Sequence, residues 1–373
     1  MSAVRNKQNN RRGVLICGAY GHGNAGDEAI LEAVVGQMRS IDPEMPVTVL
    51  SRRPEETAAK LGVNALHTFD FRGFLRVMKN VRLYINGGGS LIQDVTSRRS
   101  LVYYLYTLRA AKKRGAKVIM YGCGIGPVSR RGDVALTRRI LSRYVDIITL
   151  REPDSMDELD RFGVKGPEIL LSADPAMTLA PAAPGIVDEK MRALGLDPEG
   201  GYVCFCLRRW PGFEEKAECF ARAADIVRDK FGLTPVFLSI NHRSDGDAAG
   251  SAASHMRQAP VILREPMDTA LTIGIMARMK AVCSMRLHGL IFAAGNGVPL
   301  VGVSYDPKVT AFLGYIGESA CLELGTLTAE ALCAAVEAAL SDGERAFRRA
   351  QAEKLAKLAD VNVECAKKLL RRG

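Results

Sequence analysis

Arg286-Leu287-His288 begins a helix-length apolar run that ends at Gly297-Val298-Pro299; an apolar strand follows, and Ser304-Tyr305-Asp306-Pro307-Lys308 closes the stretch. With the strand-like Ala281 to Met285 just before it, the pattern reads strand, helix, turn, strand. Such a unit belongs to an open parallel α/β sheet, which binds ligands outside the carboxyl ends of its strands. Those ends carry a guanidinium, an imidazole, a carboxylate and an ammonium here, a description of an anion site with one titratable group. The plain alternative keeps Arg286 and Lys308 solvated and His288 as a hydrogen-bonded core histidine.

The alternation continues on both sides. Upstream, Tyr202 to Leu207 runs into Arg208-Arg209-Trp210, Pro235 to Ile240 into Asn241-His242-Arg243-Ser244-Asp245, and Val261 to Leu263 precedes a helix; helices from Ala329 and Glu344 follow the opening stretch. Ala180-Pro181-Ala182-Ala183-Pro184-Gly185 marks a boundary. Before it, six strand-like runs starting at Gly13, Val47, Arg82, Lys117, Asp146 and Glu168 each lead into a polar or glycine-rich turn and mostly a helix. At 373 residues the chain exceeds one ordinary core. The expected organisation is a basic flexible arm 1–13, a Rossmann-like domain 14–180, a linker 181–200, a second Rossmann-like domain 201–342 and a basic helix 343–373. The expected fold class is α/β, two Rossmann-like domains with parallel sheets facing a cleft.

The turns carry the chemistry. Gly21, Gly23 and Gly26 match the spacing of a dinucleotide turn. Against a nicotinamide cofactor, the next strand ends in Ser51-Arg52-Arg53, and Asp27 and Glu28 stand where a pyrophosphate needs bare amides. Asp27 reads either as the N-cap of a helix from Ala29 or as a base for a substrate hydroxyl. Gly87-Gly88-Gly89-Ser90 at a strand end suggests an amide nest for an anion. Gln93 and Asp94, with Thr96 and Ser97, are rich in groups that read sugar hydroxyls; Asn24, Arg98 and Arg208 join them as acceptor-binding candidates. Singly, each of Gln93 and Asp94 is equally a loop or capping residue. Arg151, flanked by short residues, is the arginine placed to fork onto a carboxylate or phosphate.

The net charge is +10, and its placement matters more than its size. Arg5, Lys7, Arg11 and Arg12 give +4 before residue 14, and residues 343–373 hold nine Lys/Arg against four acids, a further +5. Aromatic residues do not interleave with these charges, which argues against nucleic acid. Peripheral contact with an anionic membrane through the basic termini fits, and so does a solvated arm and helix face. Nine scattered cysteines without Cys-x-x-Cys favour free thiols over a zinc site or disulfides. No signal or membrane span is read, so the expected location is cytoplasmic, with any membrane contact peripheral at the inner face. No metal spacing occurs, and no cofactor is expected.

Asp27, the Gly87–Ser90 turn and Arg151 from one sheet, with Arg208, Arg209, Arg286, His288 and Lys308 from the other, exceed what one phosphate needs. A small anion bearing phosphate and carboxylate would use them. These residues also carry a family likeness: Gly18 to Leu31, Gly87 to Tyr104, Gly124-Ile125-Gly126-Pro127, Ala173-Asp174-Pro175-Ala176, Arg286-Leu287-His288 and Ser304 to Lys308 resemble the polysaccharide pyruvyl transferases, CsaB type, over about residues 14–315. The resemblance implies a GT-B-like enzyme that moves the enolpyruvyl carbons of phosphoenolpyruvate onto a sugar as a 4,6-linked ketal. Its implied acceptor is a lipid-linked, N-acetylmannosamine-containing cell-wall polymer whose ketal is the handle for surface-layer domains. Arg151-Glu152-Pro153 departs from the usual Arg-Asp-Glu. On the charge inventory, Arg286, Arg151 and Lys308 hold the donor, His288 is general acid and Asp27 the base. The rivals are a GT-B glycosyltransferase using a nucleotide-sugar and a non-catalytic glycan-binding protein.

Overall fold

Val14-Leu15-Ile16-Cys17 is apolar without interruption, as a strand covered on both faces must be. In the computed structural model it forms β1 (Gly13–Cys17), buried along its whole length. The structure describes residues 11–318, 320–340 and 342–371. Arg5 and Lys7 lie outside them; of the arm's charges, Arg11 donates to the carbonyl of Arg114 at 2.6 Å.

Two units divide the chain. The first takes the described residues up to His22, then Asp27–Ala176 and the chain from Lys357; the second takes Gly23–Gly26 and Met177–Ala356. In the first, β1 is joined by β2 (Val47–Ser51), β3 (Asn64–His67), β4 (Val81–Ile92), β5 (Lys117–Ile125), β6 (Ile147–Leu150) and β7 (Glu168–Leu171). The order is β3-β2-β1-β4-β5-β6-β7, with every pairing parallel. Its core packs Leu15, Tyr84, Leu105, Leu108, Val118 and Ile148 between sheet and helices.

Three features of this unit differ from the sequence reading. β3 is a seventh strand, exposed at both ends and too polar to read as one. β4 and β5 do not stop at their glycines: Gly87 pairs with Tyr121, Gly89 with Cys123 and Ile92 with Ile125. Gly88 and Gly89 bend the strand through φ of 53° and 71°, a region costly for any residue with a Cβ. The expected terminal nest is therefore a kinked, continuing strand. The first helix spans Ala25–Ile41, four residues earlier than expected. Its cap is Asn24, whose Oδ1 accepts from the Gly26 amide at 3.1 Å, so Asp27 lies inside the first turn and is not the N-cap.

The second unit holds β8 (Tyr202–Cys206), β9 (Thr234–Leu238), β10 (Val261–Leu263), β11 (Ala281–Ser284), β12 (Leu300–Ser304) and β13 (Cys321–Glu323). They lie in the order β10-β9-β8-β11-β12-β13, all parallel. The three-residue β13 was too short to register as a run. Residues 181–200, read as linker, carry the helix Pro184–Ala193, and Val187 packs where a Cβ on Gly274 would reach, at 2.5 Å. The final helix, Asp342–Arg371, joins the first unit from Lys357: Asn362 Nδ2 donates to Ala173 O at 3.0 Å, and Lys368 pairs with Glu168 at 2.6 Å. Among the described residues no helix is long and apolar enough to cross a membrane.

Candidate functional site

In each sheet the strand order reverses once, between β1 and β4 in the first unit and between β8 and β11 in the second. A crevice outside the carboxyl ends at such a reversal is where open α/β sheets bind ligands. The candidate residues fall on these two edges.

In the second unit, β11 ends at Ser284, and two residues later Arg286 stands at the N-cap of the helix Leu287–Gly295. His288, 9% exposed, sits in its first turn with its ring 6.1 Å from Phe292. The Arg286 side chain does not cap this helix. It turns instead to Asp245, which is buried: Nε donates to Oδ2 at 2.9 Å, Nη2 bonds Oδ1, and Nη2 also donates to Ser244 Oγ at 3.0 Å. Asp245 Oδ2 also accepts from the amide of Asn241 at 2.8 Å. Arg286 thus fixes the loop after β9 to the end of β11.

The glycine-rich segment Gly23–Gly26 lies along that same loop. Asn24 bridges Asn241 in antiparallel fashion, and the Ala25 amide donates to Ile240 O at 2.9 Å. Gly26 is against His288 so closely that an added Cβ would overlap the imidazole at Nδ1 and Cγ. Two motifs far apart in the chain are therefore packed together in one unit. The ends of β8 and β12 add an aromatic cluster: Arg208 stacks 4.7 Å over Trp210 and 4.9 Å over Tyr305, and bonds the Tyr305 hydroxyl. Lys308 Nζ meets Asp306 at 3.0 Å and lies 5.9 Å over the Tyr305 ring. Asp306 also caps the next helix through the Lys308 amide at 3.2 Å.

In the first unit, Arg151 is 4% exposed and committed to protein groups. Nε donates to Glu152 at 2.8 Å, Nη1 to Asp174 at 2.9 Å and Nη2 to Ser90 Oγ at 3.2 Å. Burial pushes the Glu152 carboxyl up despite Arg151 beside it. Burial alone would lower the guanidinium; Glu152 and Asp174 raise it above its ordinary value. A Cβ on Gly124 would stand 2.5 Å from Glu152 Oε1 and 2.8 Å from Ser90 Oγ, so any other residue here would displace this network. Gly87 and Gly88 serve close packing, with Tyr20 OH and the Ile30 side chain filling their Cβ positions. Gly89 faces Asp27, whose Oδ1 lies 3.6 Å from the position of a Cβ on it. Burial first, then Cys17 and Asp27, push the Tyr104 phenol up. Glu28, the other acid of this turn, accepts from the Gly21 amide at 2.7 Å and holds the loop.

The edge of the second unit thus gathers Asn24, Arg208, Arg286, His288 and Lys308; the first unit carries Asp27, Gly87–Ser90 and Arg151. The remaining acceptor candidates have internal tasks: Gln93 bonds Thr96, Asp94 accepts from the Ser129 amide at 2.9 Å, and Arg98 forks onto Asp133 at 3.0 Å. The cationic surplus read from the sequence is correspondingly smaller, since Arg151, Arg286 and Lys308 each have a carboxylate partner. Asp245, Asp174, Glu152 and the Trp210–Tyr305 pair were not identified as site residues. A lone tryptophan beside two arginines at a strand end was the available signal for one of them. Among the described residues no group of His, Cys, Asp and Glu suits a metal ion.

A model of the family described as polysaccharide pyruvyl transferase matches residues 24–307. The amylovoran biosynthesis protein AmsJ of Erwinia amylovora is 22% identical over 366 residues, spanning 82% of this chain and 86% of that protein. A solved putative UDP-N-acetylglucosamine 2-epimerase from Listeria monocytogenes matches with a TM-score of 0.69 at 14% identity, over 97% of this chain and 98% of its own. Anabaena HepE in complex with UDP and glucose matches with a TM-score of 0.62 at 10% identity, over 97% and 100%. At such identities the structural likeness is one of fold, two parallel-sheet α/β domains of the GT-B kind.

Proposed function

The chain belongs to the polysaccharide pyruvyl transferase family, and from that premise we propose that it forms a pyruvate ketal on a polysaccharide acceptor with phosphoenolpyruvate as donor. Its standing as a pyruvyltransferase of polysaccharide biosynthesis follows from the family; the donor, acceptor and residue roles are the proposal. The observation that supports it most is the packing of Gly26 against His288, which joins the glycine-rich motif to the Arg-Leu-His motif at a strand reversal.

In the proposed reaction His288 protonates the methylene carbon of phosphoenolpyruvate, leaving an oxocarbenium-like C2. One sugar hydroxyl adds to C2 and gives its proton to Asp27. The second hydroxyl then forms its own bond to C2 as the C–O bond to phosphate breaks, and its proton leaves with phosphate. Lys308 and the start of the helix at Leu287 take the donor's anionic groups, as helix N-termini do. Arg286 and Arg151 are positioning residues, since Asp245, Glu152 and Asp174 already engage them. The motifs' resemblance to the CsaB type supports a narrower reading, in which the acceptor is a lipid-linked N-acetylmannosamine-containing polymer and the ketal 4,6-linked.

Incubating the protein with phosphoenolpyruvate and an acceptor disaccharide, then reading product mass and released phosphate, tests this directly. A product carrying one ketal-linked pyruvate, one phosphate per ketal and a loss of turnover of about 10² or more in His288→Ala are expected. The Arg208–Trp210–Tyr305 stack would equally suit a nucleobase, so the rival is a nucleotide-sugar transferase. It is shown instead if a UDP-sugar gives a hexose gain and phosphoenolpyruvate gives none.

A further inference from the structure

Phe69, Phe71, Val102 and Tyr106 are 54%, 42%, 39% and 40% exposed, unusual values for large apolar side chains gathered on one face. Phe69 and Phe71 follow the carboxyl end of β3. Their rings lie 6.4 Å apart, Phe71 lies 5.7 Å from Tyr106, and Tyr103 packs edge-on against both phenylalanines. The loop is held out rigidly: Tyr103 OH donates to Thr68 O at 3.0 Å, and Asp70 caps the next turn through the Gly73 amide at 2.8 Å. Val102 and Tyr106 belong to the helix Arg98–Lys113, where Arg99, Val102, Tyr106, Arg109 and Lys113 form one exposed stripe at three- and four-residue spacing. That helix carries five basic residues and no acid. Two of these are paired, Arg98 with Asp133 and Lys112 with Asp146, so Arg99, Arg109 and Lys113 carry the stripe's charge, and Arg52 adds a fourth cation 4.9 Å over the Phe69 ring.

We propose that this basic-aromatic face of the first unit docks on a membrane surface of anionic phospholipid. Apolar side chains enter the headgroup layer while arginine and lysine pair with its phosphates, the pattern of interfacial helices. A second copy of the chain would bring the Arg99, Arg109 and Lys113 stripe against like charge. A glycan platform needs open ring faces flanked by hydroxyl acceptors, whereas Tyr103 and Tyr106 meet the stacked Phe69–Phe71 pair edge-on and the stripe offers cations. Residues 1–10 carry two cations and no acid, a poor match for a basic face. Arg11 of the basic arm meets the far end of this helix at Arg114 O, and neither the surface nor its test depends on the donor or acceptor of the reaction.

Full-length protein is sedimented with vesicles of phosphatidylcholine, with and without phosphatidylglycerol. Binding only to the anionic vesicles is expected, weakening as salt rises. Phe69→Ser with Phe71→Ser, and separately Arg99→Glu with Arg109→Glu, should each lower binding at least about tenfold. Because these variants could misfold, hydrogen exchange on the wild type supplies the second reading: anionic vesicles should protect residues 68–71 and 98–113, and a soluble oligosaccharide should not. No wild-type binding, unchanged binding in both folded variants, protection by the oligosaccharide or protection by self-association would each overturn the proposal.

Discussion

Gly26 and His288 show how a single missing Cβ can set a site. Glycine within a helix's first turn ordinarily costs about 1 kcal/mol relative to alanine, so Gly26→Ala alone would be expected to stabilise. The imidazole occupies the space that the methyl group needs, and that contact reverses the expectation. Gly26→Ala should retain the fold yet lower kcat in the ketal-forming assay roughly 10²-fold, the scale of a displacement near 1 Å in catalytic geometry. Unchanged kcat with a raised melting temperature would remove His288 from the chemistry. The sequence made both residues legible as motif members, because glycine spacing and an Arg-Leu-His triplet are local. It could not show their contact, or that Arg286 answers to Asp245. Partners chosen across a fold leave no mark in spacing.

The elements tell a similar story about local and distant information. Apolar or largely apolar runs identified β1, β2, β8 and β12, and alternation with helices identified the parallel sheets. The glycines of β4 and β5 misled because a strand continues through glycine when its neighbour continues too, and the two kinked segments pair with each other. Beyond them stands the Arg151 network, which ties β4, β6 and the segment after β7 through Ser90, Glu152 and Asp174. Replacing Arg151 by methionine leaves two buried carboxylates without their cation, a change that costs about 3–5 kcal/mol. Ser90→Ala removes one hydrogen bond, worth about 1 kcal/mol. Urea unfolding should rank the two variants in that order. A donor-binding arginine would behave otherwise, with KM rising while stability held.

On the scale of the whole chain, neither unit is one continuous stretch. The second borrows Gly23–Gly26 from the start, and the first recovers residues from Lys357 onward. Deleting the chain after Ala356 removes the Asn362–Ala173 bond and the Lys368–Glu168 pair. Hydrogen exchange in β6 and β7 should then rise while β8, β11 and β12 keep their protection; uniform protection throughout would show the helix to be dispensable to the first unit. The arrangement also imposes an order on synthesis. Between Ala176 and Lys357 the ribosome adds about 180 residues, which at about 5–20 residues per second takes roughly 10–40 s. For that interval β7, the last strand of its sheet, waits without the helix that meets it, an open edge of the kind that recruits other nascent chains. Slower translation of the second unit thus lengthens the time for which that strand stands without its helix.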